Sequence, residues 1–534
     1  MGLLRKQFLK MMLFFLLAST LNLLFNSVKG SDGTIFIRAD GSIDPPMTSI
    51  KTVDNITYTL MDNVYGSIVV ERDSIIIDGQ GYALQGSEVN GSVGIQISGR
   101  SNITIKNIKI RKFYYGIMFS KSSGNTISGN SITENSKHGI ILSYSQTNTI
   151  SENNITENGQ HGIILIHSSV NRIFGNNVAK NEYGITLRYS LSNTIFQNGV
   201  AENEYGIWLE NSLSNRISGN NVASNNLDGI RLSYSSENSI SENNVTSNKM
   251  YGIILIQSSR NTISENNVTS NNQHGIMLHY SSNDNTISRN NIGNNKYGIM
   301  LSSSNGSIIL ENSVTANNGH GIMLEHSLAN SLSGNNATAN SECGIMLSYC
   351  SNNNSISGNI LANNRYGIWL DYSSNNTIST NSITANKGYG IMLRFSSSNS
   401  IYHNNFVDNT HQAVSGGIKN VWDSGPVGGN YWSDHNPPDS NPQDKIGDTA
   451  YLIDENNIDR RPLVYPFEFY QSGYEPKTDV NMDGIVNIID IAIIARAFQS
   501  KPGDARWNPI ADMDINGIIN IIDISKVARE FCKE

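Results

Sequence analysis

Between residues 94 and 390 the chain alternates apolar and polar positions in a block that opens Gly-Ile-x-Leu. The block recurs from Gly94 through Gly116, Gly139 and Gly162 to Gly390, fourteen times in all, always after 22 or 23 residues. In the block starting at Gly252, Ile253 and Leu255 alternate with other residues, Ile263 then stands alone, and Val268 follows among polar or small neighbours. Period-two alternation over three to five residues predicts short β-strands, because an amphipathic helix needs apolar residues at three- and four-residue steps over at least ten positions. Repetition at a fixed period of this length predicts a solenoid, in which each block buries its apolar side only by stacking on the next.

Asparagine marks the bends. Counting the repeat glycine as offset 0, Asn falls near offsets 9, 14 and 19, as at Asn125, Asn130 and Asn135 and again at Asn261, Asn266 and Asn271. Asn tolerates left-handed backbone angles, and identical side chains stacked in successive coils form hydrogen-bonded ladders. Three bends per turn give three strand faces, which is a parallel β-helix. A leucine-rich repeat shares this period but needs a bulkier apolar second half than Ile-Ser-Glu-Asn-Asn-Val-Thr. At a coil spacing of ~4.8 Å, fourteen coils make a rod about 65 Å long.

Offsets 1 and 3 carry the inward Ile and Leu, so offset 2 faces out. It holds Met118, Ile141, Ile164, Thr186, Trp208, Arg231, Ile254, Met277, Met300, Met323, Met346, Trp369 and Met392. Such a stripe is expected to be an exposed apolar surface, used by a ligand or partner or covered by residues 400–470 or a second copy. Offset 4 adds Arg188, Glu210, His279, Glu325, Asp371 and Arg394. Glu325, Asp371 and Glu210 are the candidate catalytic acids. Glu325 and Asp371 sit two coils apart, about 9 to 10 Å, near the upper end of the separation used by inverting glycosidases. Trp208, Trp369, Arg394 and His279 are the candidate saccharide contacts. Tyr or His precedes most repeat glycines, from Tyr115, His138 and His161 to Tyr389, and predicts a stacked ring ladder.

Composition narrows the partners. A formal charge of -8 over 534 residues gives no general attraction to nucleic acid or anionic membrane. Residues 1–30 combine Arg5, Lys6 and Lys10 with the apolar run 11–25 and read as a secretory signal. Of three cysteines, Cys343 and Cys350 flank one strand, too far apart in an extended chain to join in a disulfide.

The C-terminus carries the most specific motif. Asp479, Asn481, Asp483, Asn487 and Asp490 occupy positions 1, 3, 5, 9 and 12 of a loop with Gly484 at position 6 and the carbonyl of Ile485 at position 7. Asp512, Asp514, Asn516, Ile518, Asn520 and Asp523 repeat it 33 residues later around Gly517. This is the oxygen donor set that Ca²⁺ requires. An apolar helical pattern follows each loop, at residues 488–498 and 521–531.

The Gly-Ile-x-Leu and Asn-Thr-Ile-Ser-x-Asn repeats, with Gly429-Asn-Tyr-Trp-Ser-Asp434 and Asp459-Arg-Arg-Pro-Leu-Val-Tyr-Pro-Phe467, resemble the NosD-type β-helix proteins, whose coils are shared with carbohydrate-binding and sugar-hydrolase domains. That resemblance implies an exported, right-handed parallel β-helix; its copper-binding label finds no recognisable Cys/His/Met constellation here. The two loop-helix repeats resemble a type I dockerin, which implies two Ca²⁺ ions and a cohesin-like partner on a scaffold or cell-surface protein. The expected order is signal 1–30, N-terminal cap and irregular coils 31–93, β-helix 94–410, cap 411–470, linker 471–477 and dockerin-like module 478–534. The expected protein is secreted or cell-surface-bound and binds polysaccharide or another extended partner. The alternatives are a glycoside hydrolase or polysaccharide lyase on the exposed face, and a purely structural or adhesion rod.

Overall fold

The computed structural model describes residues 33–440, 445–467, 488–501, 506, 511, 513 and 519–531. Each coil is a triangle of short strands. Tyr115–Ser120, Thr126–Ser128 and Ser131–Thr133 form one, and His138–Ser143 opens the next. Successive coils pair in parallel without slipping: Ile117 lies opposite Ile140, Ile127 opposite Ile150 and Ile132 opposite Ile155. Three parallel sheets result, named here first, second and third in the order the chain meets them. The rod has about 16 turns rather than fourteen. The excess arises where Ile35–Ile37 and Ile68–Val70 pair in parallel ahead of Val93–Ser98 without the Gly-Ile signature.

The inward alternation builds one continuous core. Ile117, Phe119, Ile127 and Ile132 are all fully buried, and each such side chain contributes roughly 1.5–3 kcal/mol. The repeat glycine is imposed by close approach of coils at one corner. A Cβ on Gly116 would stand 2.5 Å from the carbonyl oxygen of Gly139 and 2.8 Å from Ile132 Cγ2.

The asparagines form three internal columns. Nδ2 of Asn130 donates to Asn153 Oδ1 at 2.9 Å, the Asn130 backbone N–H donates to the same oxygen at 3.0 Å, and Nδ2 also donates to the Ile105 carbonyl at 3.0 Å. The pattern passes on to Asn176 and Asn198 and satisfies the buried amides that every bend would otherwise orphan. The bend itself differs from expectation. The left-handed residue is the one before each asparagine, such as Glu134 at φ 54°, Thr147 at φ 55° and Glu152 at φ 58°. This conformation costs an ordinary L-residue roughly 1–2 kcal/mol. Asparagine holds the bend from inside with hydrogen bonds worth about 0.5–1.5 kcal/mol each.

Residues 411–463 end these columns. Asn409 Nδ2 donates to Gln412 Oε1 at 2.8 Å, Asn420 Nδ2 reaches Asn457 Oδ1 at 3.5 Å, and the Asn430 N–H donates to Asp459 Oδ2 at 2.8 Å. Trp432 stacks between Phe406 and Tyr451 at 4.4 and 4.2 Å and closes the core. Asp434 accepts from the Tyr451 hydroxyl, Asp439 from Lys445 N–H and Asp448 from Ser440 N–H, so these acids hold loops together. Cys343 and Cys350 are both free. No helix among the described residues is long and apolar enough to cross a membrane.

Candidate functional site

The outer face of the first sheet gathers the chemistry. Its offset-2 row is less exposed than alternation predicts. Met118, Ile141 and Ile164 are buried, as are Ile254, Met277 and Met300. The cover on these buried members is not residues 400–470 but the chain's own ring column. Tyr115 packs against the first group, and Tyr251 and Tyr297 against the second. Where a tyrosine precedes the repeat glycine its ring packs beside the offset-2 side chains, as Tyr115 does beside Met118 and Tyr205 beside Trp208. Only Trp208, Arg231, Met323, Met346, Trp369 and Met392 keep partial access to solvent.

That ring column stacks from Tyr115 to Tyr205 with centroid spacings of 5.2, 4.9, 4.6 and 5.2 Å. His138 and His161 are buried in it. His161 Nδ1 lies 2.9 Å from Thr186 Oγ1, and burial lowers its pKa to about 3, so these rings are neutral members of a stack.

Asp228 interrupts the column. Its Oδ2 meets Arg231 Nη1 at 2.9 Å, and burial raises its carboxyl pKa against the opposing guanidinium. Arg231 in turn lies 5.9 Å from the Trp208 ring, and Arg188 of the preceding coil lies 5.6 Å from it. Tyr183 and Tyr205 flank the same indole at 5.1 and 5.5 Å. Sequence reasoning missed Asp228. The signal was available as the one carboxylate in a position otherwise held mainly by Tyr and His.

The candidate acids separate. Glu210 Oε2 lies 2.8 Å from Arg188 Nε. Asp371 is buried and gives both oxygens to Arg394, at 2.7 Å each. Glu325 is half-buried, two coils from Asp371 through Ser348 and two from His279 through Ser302. Burial lowers the His279 pKa, with Glu325 opposing. Glu325 and Asp371 therefore share a row, while the direct partner of Asp371 is Arg394. Trp369 sits beside this pair, with Arg394 5.9 Å from its ring. The indole Nε1 atoms of both Trp208 and Trp369 are shielded from solvent and have no hydrogen-bond partner. Around each tryptophan, charges are matched in pairs, leaving rings beside hydrogen-bond donors and acceptors with little net charge.

A second ring column runs along the edge of this face at offset 5. Tyr144, His167 and Tyr189 stack at 4.9 and 5.0 Å, and Tyr372 stacks on Phe395 at 4.8 Å. Tyr234, Tyr280 and Tyr349 occupy the same turn and are exposed. All are left-handed, from φ 46° at Tyr280 to φ 52° at Tyr234, a conformation rare for bulky residues. Aromatics recurring five residues after the repeat glycine were visible in the sequence.

At the C-terminus, helices Ile488–Arg496 and Ile521–Phe531 pack through Ile494, Ala497, Ala511, Met513, Ile519 and Val527. Asp490 and Asp523 sit in the first turn of each helix, fully buried. Asp523 accepts from Met513 N–H at 2.6 Å and Asn520 N–H at 2.7 Å. Two fully buried carboxylates at helix starts fit a hard divalent cation, which supplies the charge that burial demands. Asp479, Asn481, Asp483, Ile485, Asn487, Asp512, Asp514, Asn516 and Ile518 lie outside the described residues.

Three parallel sheets closed by a cap, followed by a helix pair with buried aspartates, define a right-handed parallel β-helix carrying a dockerin. The chain belongs to the NosD family: the model described as periplasmic copper-binding protein (NosD) matches residues 47–220 and 293–437, more than half of the chain. A right-handed β-helix region matches residues 188–337, and a dockerin type I domain, a class that generally binds calcium, matches residues 477–531. No curated protein matches the chain at a significant level. Among solved structures, the periplasmic alginate epimerase AlgG is 15% identical over 66% of this chain and 84% of its own, with a TM-score of 0.33. The AlgE4 A-module, a mannuronan C-5 epimerase of Azotobacter vinelandii, is 13% identical over 66% and 88%, with a TM-score of 0.35. The Dettilon tailspike protein gp208 is 16% identical over 55% of this chain, which spans only 60% of the tailspike, with a TM-score of 0.34.

The donor set does not fit the copper in the family's description. Among the described residues no three His, Cys, Asp or Glu side chains gather around one point. The stacked methionines Met277 and Met300 are buried with Ile254 under Tyr251 and Tyr297, as apolar packing.

Proposed function

We propose that this is a secreted or cell-surface protein whose rod binds polysaccharide along the outer face of the first sheet, and whose dockerin, holding two Ca²⁺ ions, tethers it to a cohesin-like domain. The observation that carries the reading is the pair of tryptophan sites. Trp208 and Trp369 each combine a partly open indole, a neighbouring tyrosine and an arginine matched to a carboxylate. Sugars need this combination, because their C–H faces pack on rings while their hydroxyls take paired donors and acceptors. Ile521, at loop position 10 of the second calcium repeat, is 65% exposed and supplies an apolar contact for a partner.

Glycan-array binding run beside a reducing-sugar assay tests the rod. Binding lost in Trp208→Ala and Trp369→Ala without release of sugar ends is the expected result; release of ends overturns the non-catalytic reading. In the full chain, chelator is expected to lower the melting of the C-terminal module and leave the rod's transition in place. An unchanged module transition contradicts the calcium assignment.

A further inference from the structure

Aromatic and polar residues alternate coil by coil in the middle of the offset-5 column: Tyr189, Asn211, Tyr234, Gln257, Tyr280, Ser303, His326. The turn amides keep these positions in register. Asn211 N–H donates to the Ser233 carbonyl, Tyr234 N–H to Ile256 and Tyr280 N–H to Ser302, at 3.0, 3.0 and 3.1 Å. Tyr234 and Tyr280 therefore stand two coils apart, about 9.6 Å at ~4.8 Å per coil, with Gln257 between them at the floor.

Elsewhere in the column, left-handed rings stack on neighbours, which compensates for an unfavourable backbone. Tyr234 has no ring neighbour among the described residues, is 56% exposed, and keeps φ at 52° where Asn or Gly would sit without strain. The turn imposes this conformation in every coil, at Lys121, Gln257 and Ser303 as well, so what sets Tyr234 apart is a large ring left exposed and unstacked, which is the form of a contact surface. Tyr280 is 59% exposed and is braced by the His279 ring at 3.7 Å.

We infer that Tyr234 and Tyr280 are the walls of a subsite for one neutral pyranose ring, with Gln257 binding its hydroxyls. This rests on the polysaccharide reading and deepens it. Width selects the ring: a flat aromatic ligand at ~3.5 Å from each wall fills only about 7 Å, whereas a puckered saturated ring, thickened by its axial hydrogens, takes up the remainder. Charge selects the sugar. The outward residues at offset 4 beside the slot are Ser233, Ile256 and His279, and burial keeps His279 biased to its neutral form. On the other side of the turn Arg260 is already paired with Glu237 at 2.8 Å, so a uronate carboxylate would find no unmatched cation beside the slot.

The test is affinity electrophoresis of the full chain, with calcium, in gels containing hydroxyethylcellulose, galactomannan, laminarin or polygalacturonate. Retardation by at least one neutral polymer is expected. Tyr234→Asn and Tyr280→Asn should each weaken it tenfold or more with the melting temperature unchanged or raised, and Tyr234→Phe should retain it. Tyr372→Ala, a ring already stacked on Phe395, should change it less than twofold. Wild-type retention by Tyr234→Asn, with loss in Trp208→Ala, overturns the slot and leaves the polysaccharide reading intact. Retardation by polygalacturonate alone overturns the neutral-sugar assignment, and retardation by no polymer overturns both.

Discussion

Inside the rod and on the edge of its first sheet, side chains are stacked at the same spacing but to different ends. The internal asparagine columns run from Asn125 to Asn420, from Asn130 to Asn430 and from Asn135 to Asn409, with a single substitution, Ser307, in the first. Each member is both donor and acceptor, so a change in one coil orphans groups in two. The outer columns vary from coil to coil: Tyr, His, Asp and Cys before the glycine, Tyr, Asn, Gln and Ser at offset 5. Where the fold needs every coil the sequence is monotonous, and where it does not the sequence is free to specify a surface.

The largest expected effect comes from breaking the interior. Asn220 accepts from Asn198 N–H and Nδ2–H and donates to Asn243 Oδ1 and the Ile195 carbonyl. Asn220→Ala strands several buried polar groups and should cost about 4 kcal/mol, read as lower urea resistance and faster amide exchange in the adjacent coils. Loss of less than about 1 kcal/mol would show that the columns are ornamental.

Acid is next. Burial lowers His274 from 6.5 to about 4, so the folded chain refuses a proton that the unfolded chain accepts. Its contribution is intact above pH 6.5 and is lost as pH falls toward 4, up to about 3 kcal/mol. His161 and His320 act in the same direction. Asp459 acts oppositely: burial raises its carboxyl to about 6, so its effect favours the cap below pH 4 and fades as pH rises to 6. Urea melts between pH 7 and pH 4 should show net destabilisation on acidification, reduced by His274→Phe; flat stability would contradict neutral rings in the stack.

Arg394→Ala leaves the buried Asp371 without its bidentate partner and should lower the urea midpoint by less than Asn220→Ala does, since the arginine end is exposed. Asp371→Asn should cost less than Arg394→Ala, because it removes the buried charge as well; the reverse order would contradict the pairing. Tyr234→Asn is the smallest stability change expected, within about 1 kcal/mol and in the stabilising direction, because it relieves a left-handed aromatic. A destabilisation above that size would make the ring structural.

Much of this was legible. Gly116, Ile117 and Phe119 gave register, strand and core, because period-two burial leaves a direct mark on residue choice. The asparagines are legible both as bend markers and as stacked ladders; what the sequence does not reveal is that the left-handed residue is the one before each of them. Met118 looked exposed because alternation describes a strand by itself and does not see Tyr115 folding across it. Pairings such as Asp371 with Arg394 join residues 23 apart through coil stacking, and a row of charges in sequence does not reveal which neighbours take each other. The offset-5 rings were overlooked because aromatic residues are not expected in left-handed turns.

The central claim, that the outer face of the first sheet is a polysaccharide surface, is tested most directly by one affinity comparison. The full calcium-loaded chain and its Trp208→Ala/Trp369→Ala variant are titrated with the polysaccharide found to bind wild type. At least a tenfold loss of affinity at equal melting temperature is expected; equal affinity in the two proteins would contradict it.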